Sequence, residues 1–271
     1  MELYAYYDPP NTQTMLEHVQ EALKVFPPNS HLVTFGRKIF PSFQKMLYLT
    51  IILHDIGKTP FNTFYSDKIK SREKISFLGH EVISGWITYR LLIGNTQASR
   101  NLLNLIGIQS EDFRAAKGGE IITLAVLLHH HPMNLRDRIK TFKDSSSNLY
   151  LTGEHISAFC SSLESAIATY LGVQPYIFQK ALLEALGEER SGQKIAEDTG
   201  NLYDELFKKV WIDGNRKTRK LFLLLLQGLV AADYQSARKR GGEKVSRFSE
   251  AMSTFTELYG SAVEGPCDSN G

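Results

Sequence analysis

His54 and Asp55 stand side by side at the end of an apolar run, Leu49-Thr50-Ile51-Ile52-Leu53, and are followed by Ile56-Gly57-Lys58. An imidazole and a carboxylate at the edge of a core cost desolvation free energy unless each is paired, protonated or bound to a cation. A divalent metal would meet that cost. So would a plain helix end, with Asp55 accepting backbone N–H groups, His54 against the C-terminal dipole and Gly57 as a left-handed cap. The other histidines separate the two readings.

A second apolar run, Glu120-Ile121-Ile122-Thr123-Leu124-Ala125-Val126-Leu127-Leu128, ends in His129-His130-His131. Neighbours on a helix differ by about 100°, so the three rings cannot share one direction, and two are expected as ligands with one elsewhere. His18 falls three residues after Met15 and four before Ala22, on the apolar face of a predicted helix, where the alternative is a hydrogen-bonded core histidine. His80 follows Phe77-Leu78-Gly79 in the first turn of another helix. There the dipole disfavours a charged ring and favours a neutral, liganding one. Asp233 sits in Leu229-Val230-Ala231-Ala232-Asp233, inside the most apolar helix, and needs a partner.

The elements that must present these groups read as helices. Asn11 or Thr12 can cap a helix to about 26, Pro27-Pro28 and Pro41 bound a second over 30–40, and 42–56 carries His54 and Asp55. An ordered loop is expected over 59–69. Helices follow over 80–93, 98–106, 111–116 and up to the histidine triplet, then over 152–171, 175–186, 202–211, 216–237 and 246–259. Residues 187–199 read as a charged connection. No alternating strand series, repeat or domain-length linker is present, so the expectation is an all-α fold: one domain over 1–260, with core helices about 11–132 and 200–238, and a disordered tail over 261–271.

With 271 residues, 42% of them hydrophobic, the chain can bury a sizeable core. Lys and Arg number 31 against 29 Asp and Glu, so affinity for a polyanion must come from local clusters. Arg136, Arg138, Lys140 and Lys143 form one cluster; Arg238, Lys239, Arg240, Lys244 and Arg247 form another. Phe61, Phe64 and Tyr65 are candidates for stacking on bases. Cys160 and Cys267 lie far apart, which points to a reducing compartment, and the acidic N-terminus lacks a secretory signal. The apolar run 221–232 is too short for a bilayer, which needs about 20 residues, so a cytoplasmic protein without a membrane partner is expected. Gly57-Lys58-Thr59 ends like a phosphate-binding loop, but Ile52 stands where the first glycine is required, so ATP binding is not expected.

His18, His54-Asp55-Ile56-Gly57-Lys58, Gly79-His80-Glu81, Ala125-Val126-Leu127-Leu128-His129-His130 and Ala232-Asp233 with Ser236 occur in the order of a known pattern. The sequence resembles the HD superfamily of metal-dependent phosphohydrolases, and most closely the HD nuclease of type I CRISPR interference in its stand-alone archaeal form. The resemblance implies two divalent metal ions. One would be held by His18, His54, Asp55 and Asp233, a second by His80, His129 and His130, with Asp55 bridging; a one-residue shift would use His130 and His131 instead. Imidazole-rich coordination suits Mn, Fe, Co or Ni, and the bridging carboxylate leaves Mg open. Asp55 and Lys58 would be the catalytic pair, Lys58 stabilising phosphate charge. The implied activity is cleavage of single-stranded DNA, or of RNA, in antiviral defence, with a separate helicase subunit and an RNA-guided surveillance complex as partners. The alternatives are an HD-type hydrolase of nucleotides or cyclic nucleotides, and a binding module that keeps the fold without the chemistry.

Overall fold

The computed structural model describes residues 2–94, 96–108, 110–130, 134–240 and 246–263. Strands β1 (Tyr4–Asp8) and β2 (Asn11–Thr14) form an antiparallel hairpin across Pro9-Pro10. Alternation along β1 buries Ala5 and Tyr7 and leaves Tyr4 and Tyr6 half-buried on the other face. The first helix therefore starts later than its sequence suggests. Thr14 caps α1 (Met15–Lys24) in a reciprocal pair with Glu17, and the polar residues before it join the ladder instead of a first helical turn.

Prolines bound α2 (His31–Ile39) and precede α3 (Phe43–Leu53) as expected. Where a loop was expected, two short helices form, α4 (Thr59–Phe64) and α5 (Ser66–Lys70). Pro60 sits in the first turn of α4, where its missing N–H costs nothing. Then come α6 (His80–Ile93), α7 (Gln97–Leu105), α8 (Ser110–Ala115), α9 (Gly118–Leu128) and α10 (Leu135–Ser145). A two-residue ladder pairs β3 (Tyr150–Leu151) with β4 (Arg190–Ser191), and between them lie α11 (Gly153–Ser162), α12 (Glu164–Ala166) and α13 (Pro175–Leu186). The charged connection is shorter than its composition suggests, because Ser191 caps Lys194 and starts α14 (Gly192–Phe207). The last helices are α15 (Arg216–Arg238) and α16 (Arg247–Gly260). The fold is all-α, with two two-stranded ladders among the described residues.

The centre of the molecule is α3, α6, α9 and α15, with α1 laid against α15. Helices α3 and α9 are apolar nearly all round, so every side is covered. Leu49, Ile51, Ile52, Leu124 and Val126 are fully buried, each contributing about 2 kcal/mol of transfer free energy. The hydroxyls inside α3 and α9, Thr50 and Thr123, bond carbonyls one turn back, and the imidazoles stand where the helices end. Both end inside the molecule, at His54 and at His129.

The His31 N–H donates to the Ser261 carbonyl at 3.1 Å and the Val263 N–H to the Asn29 carbonyl at 2.9 Å, which ties residues 261–263 to the turn before α2. The rest of the expected tail, 264–271, lies outside the described residues. No described helix is long and apolar enough to cross a membrane.

Candidate metal centre

Immediately after His54 the chain bends through a 3-10 turn over Ile56–Lys58. Gly57 lets that turn press against the start of α6. A Cβ at Gly57 would lie 2.1 Å from the His80 carbonyl oxygen, and the Gly57 N–H donates to Ser84 Oγ at 2.9 Å. This backbone contact carries His80 Nε2 to 3.1 Å from Asp55 Oδ1. Gly57→Ala is therefore expected to separate α6 from the His-Asp turn, costing about 1–3 kcal/mol from overpacking and lowering metal content. A melting temperature and metal content equal to the parent's would show that the turn has room.

His54, His80 and His129 orient themselves alike. Each donates its Nδ1–H to the carbonyl three residues earlier: Ile51 at 2.6 Å, Phe77 at 2.8 Å and Val126 at 2.6 Å. A carbonyl only accepts, so the neutral ring keeps its proton on Nδ1 and presents the Nε2 lone pair. Those lone pairs converge. His80 Nε2 is 3.3 Å from His129 Nε2 and 3.2 Å from His130 Nε2, and His54 Nε2 is 3.3 Å from His18 Nε2. Asp55 adds Oδ2 at 3.2 Å from His18 Nε2 and 3.4 Å from His54 Nε2, while its buried Oδ1 faces His80 without a hydrogen bond. Asp233 Oδ1 stands 3.2 Å from His18 Nε2 and 3.8 Å from His54 Nε2. Acceptors at hydrogen-bond distance repel one another unless a proton or cation sits among them. The groups His80, His129, His130 and His18, His54, Asp233 and His54, Asp55, His129 each bring ligand atoms within 4.8 Å, close enough to hold a metal ion. This donor set, imidazole nitrogens with carboxylate oxygens, fits a divalent metal.

The electrostatics of His129, His130 and the two carboxylates agree with that fit. Burial, reinforced by the charges of His54 and His80, pushes His129 down to about 3. Burial and the neighbouring His129 and His80 push His130 well below the usual histidine range. Both rings stay neutral, the state in which imidazole ligates. Burial alone would raise Asp55, but the neighbouring His54, Lys58, His18 and His80 outweigh it and hold the carboxyl ionised. Asp233 is likewise held down by His18 and His54 against its burial. His54 is the converse case, since the two carboxylates raise it despite a desolvation that favours the neutral ring.

Lys58 is buried, with Nζ 2.7 Å from Asp55 Oδ2 and 5.7 Å from the Phe77 ring centre. It also lines the cleft that opens over the histidines, whose volume is about 520 Å³. The cleft walls differ from those suggested by the sequence. Phe61 is buried, and Phe64 packs edge-on against Tyr65 at 4.9 Å, so neither reaches the opening. Tyr6, Phe77, Tyr234 and Phe248 line it instead. Of the basic clusters, Arg138 and Arg240 line the cleft, while Arg238 bonds Ser253, Lys239 pairs with Glu21, Arg136 with Asp204 and Lys143 with Glu197. Lys244 and His131 lie outside the described residues. Sequence reasoning also passed over Glu81, fully buried beside His80. Burial opposes its ionisation, but a bidentate bond from Arg138 keeps it charged.

Over 263 residues the chain is 23% identical to the CRISPR-associated endonuclease Cas3-HD of Methanocaldococcus jannaschii, a match covering 93% of this chain and 95% of that protein. The chain resembles a Cas3-HD nuclease. No family model and no solved structure matches it. A match of this length necessarily runs from α3 through α15, so the Cas3-HD likeness extends along most of the sequence and not over one motif alone.

Proposed function

We propose that the chain is a metal-dependent HD nuclease that cleaves single-stranded nucleic acid, DNA in the first place and RNA in the second, in CRISPR antiviral defence. The observation that carries this reading is the convergence of imidazole Nε2 atoms and carboxylate oxygens on the floor of an open cleft. One ion would be held by His18, His54, Asp55 and Asp233, and another by His80, His129 and His130, with Asp55 shared between them. Bound Mn, Mg, Ni, Co or Fe would acidify water and neutralise charge on the attacked phosphate.

The protein's own groups do the positioning. Asp55 and Asp233 fix the negative charge of the floor, and the Nδ1–H bonds to main-chain carbonyls keep three rings from rotating. Lys58, at the edge of the floor, is the cation closest to Asp55 and would balance phosphate charge. Arg138 and Arg240 are placed for the flanking phosphates, and Tyr6, Tyr234 and Phe248 for unpaired bases. The Cas3-HD likeness supports a CRISPR setting; a separate helicase subunit and an RNA-guided surveillance complex would be the partners, in the cytoplasm.

Incubating the purified protein with labelled single-stranded DNA, duplex DNA, RNA and mononucleotides under Mg, Mn and Ni, with a chelator control, tests the assignment. Arg240→Ala and Tyr6→Ala are expected to weaken single-strand binding roughly 5- to 150-fold for a lost stack, and Arg240→Ala to lower the salt slope by about 0.7. Hydrolysis of a small phosphodiester should fall far less than strand cleavage, because neither residue is a metal ligand. The cleft is also of a size to enclose one nucleotide, which favours nucleotide or cyclic-nucleotide hydrolysis as the second reading. Rapid turnover of mononucleotides with intact long strands would establish that reading and exclude the nuclease.

A further inference from the structure

We infer that Gln13, together with Ser236, sets the proton position on His18 and thereby makes that ring a ligand and not a hydrogen-bond donor; this rests on the metal-centre reading above. Gln13 lies on β2 and is a buried polar residue. Its Nε2 is 3.2 Å from both the carbonyl oxygen and Oγ of Ser236. The carbonyl can only accept, so the amide NH2 faces Ser236, and Oε1 is the end left to face His18 Nδ1 at 3.2 Å. The Ser236 hydroxyl donates to the His18 carbonyl at 2.8 Å, which leaves its lone pairs for Gln13 Nε2 and for His18 Nδ1 at 2.9 Å. Both partners of Nδ1 are then acceptors, so Nδ1 carries the proton and Nε2 its lone pair.

This arrangement works against the local field. His18 Nε2 lies 3.2 Å from Asp55 Oδ2 and 3.2 Å from Asp233 Oδ1, two carboxylates that would accept a proton placed on Nε2. With the proton there, His18 would donate to the carboxylates and fill the space in which a cation is held. His54, His80 and His129 are protected from that outcome by main-chain carbonyls, which no side-chain substitution removes. His18 depends on side chains instead. The hairpin holds Gln13 in place through its register: Tyr6 is the residue opposite Gln13, and the Arg240 guanidinium rests 4.3 Å from the Tyr6 ring centre. Directly opposed residues share a face of the ladder. Gln13 to Ser236 and Tyr6 to Arg240 are therefore two neighbouring rungs that fasten the hairpin to the end of α15, about one helical turn apart. Gln13 and Ser236 are positioning residues, touching the ligand and not the substrate.

The test uses the full chain labelled with 15N-histidine, metal-free and above the titration range of histidine, with the His18 tautomer read from two-bond proton–nitrogen couplings and Mn2+ binding followed by calorimetry. In the parent, His18 should carry its proton on Nδ1. In the double variant Gln13→Leu with Ser236→Ala the proton should move to Nε2, and one Mn2+ affinity should fall about 10- to 100-fold while the other holds. Gln13→Glu alone keeps the acceptor and should preserve the Nδ1 tautomer, while the oxygen it sets against the Ser236 carbonyl lowers the melting temperature. A parent with the proton on Nε2 overturns the inference even if the double variant fails to fold. A folded double variant that keeps the Nδ1 proton, or keeps both affinities, also overturns it. A parent that binds no divalent ion overturns the metal-centre reading, while the tautomer measurement still decides the role of Gln13.

Discussion

Asp55→Asn is expected to abolish strand cleavage, by about three orders of magnitude or more, in a protein that keeps its fold. Asp55 is fully buried, with one oxygen against His18 and His54 and the other against His80, so its charge bears on both ligand groups. The amide removes that charge but keeps an acceptor for Lys58 and offers an N–H to the facing lone pairs, so packing and hydrogen bonding survive. Asp55→Ala is a different experiment. It strands the buried Lys58 ammonium without its carboxylate, and breaking a buried pair in that way costs about 3–5 kcal/mol. Both variants leave Lys58 without its counter-charge, but Asn keeps an acceptor for the ammonium, so the Ala variant should lose activity and much stability, the Asn variant activity with a smaller loss of stability. Metal analysis and thermal melts beside the cleavage assay separate the two, and full metal content with undiminished cleavage in Asp55→Asn would remove Asp55 from the mechanism.

Metal removal should act on stability as well as on turnover. The clustered lone pairs and carboxylates repel in the metal-free protein, so an ion that binds the folded centre and not the unfolded chain stabilises it. At a hundredfold excess over Kd one ion adds about 2.7 kcal/mol, a rise of roughly 5–10 °C in Tm for a chain of this size. Mn or Ni should raise the melting temperature of the parent, and a chelator should reverse the rise and stop cleavage. Asp55→Asn should show little of this response. A parent whose melting temperature ignores every divalent ion, at concentrations that support cleavage, would mean that the acceptor cluster is stabilised by some other means.

Residue type announced the centre better than residue position announced its surroundings. His18, His54, Asp55, His80, His129, His130 and Asp233 could be picked out because a titratable group at the edge of an apolar helix conflicts with its neighbours, and that conflict is visible in the sequence alone. The long apolar helices were legible for the same reason, 216–237 being nearly the span of α15. What the sequence hid was set by partners far along the chain. The residues Asn11-Thr12-Gln13-Thr14 are acceptable in a helix start, and only the opposed strand Tyr4–Asp8 makes them a ladder. Phe61 carries the same apolar signal whether it packs inward or stacks on a base, and burial decided for the core. Arg238 and Arg240 differ by half a turn, so one bonds Ser253 and the other lines the cleft.

The wide spacing of the histidines and carboxylates has a consequence for the making of the protein. His18 and Asp233 are separated by about 215 residues of chain. At a synthesis rate of about 5–20 residues per second, roughly 10–40 s pass between the emergence of the first and the last of them. During that interval the nascent chain holds imidazoles from α1, α3, α6 and α9 but lacks the carboxylate and the serine of α15. Gln13 and His18 can meet Ser236 and Asp233 only once α15 has been made, so these groups cannot converge before that helix has left the ribosome.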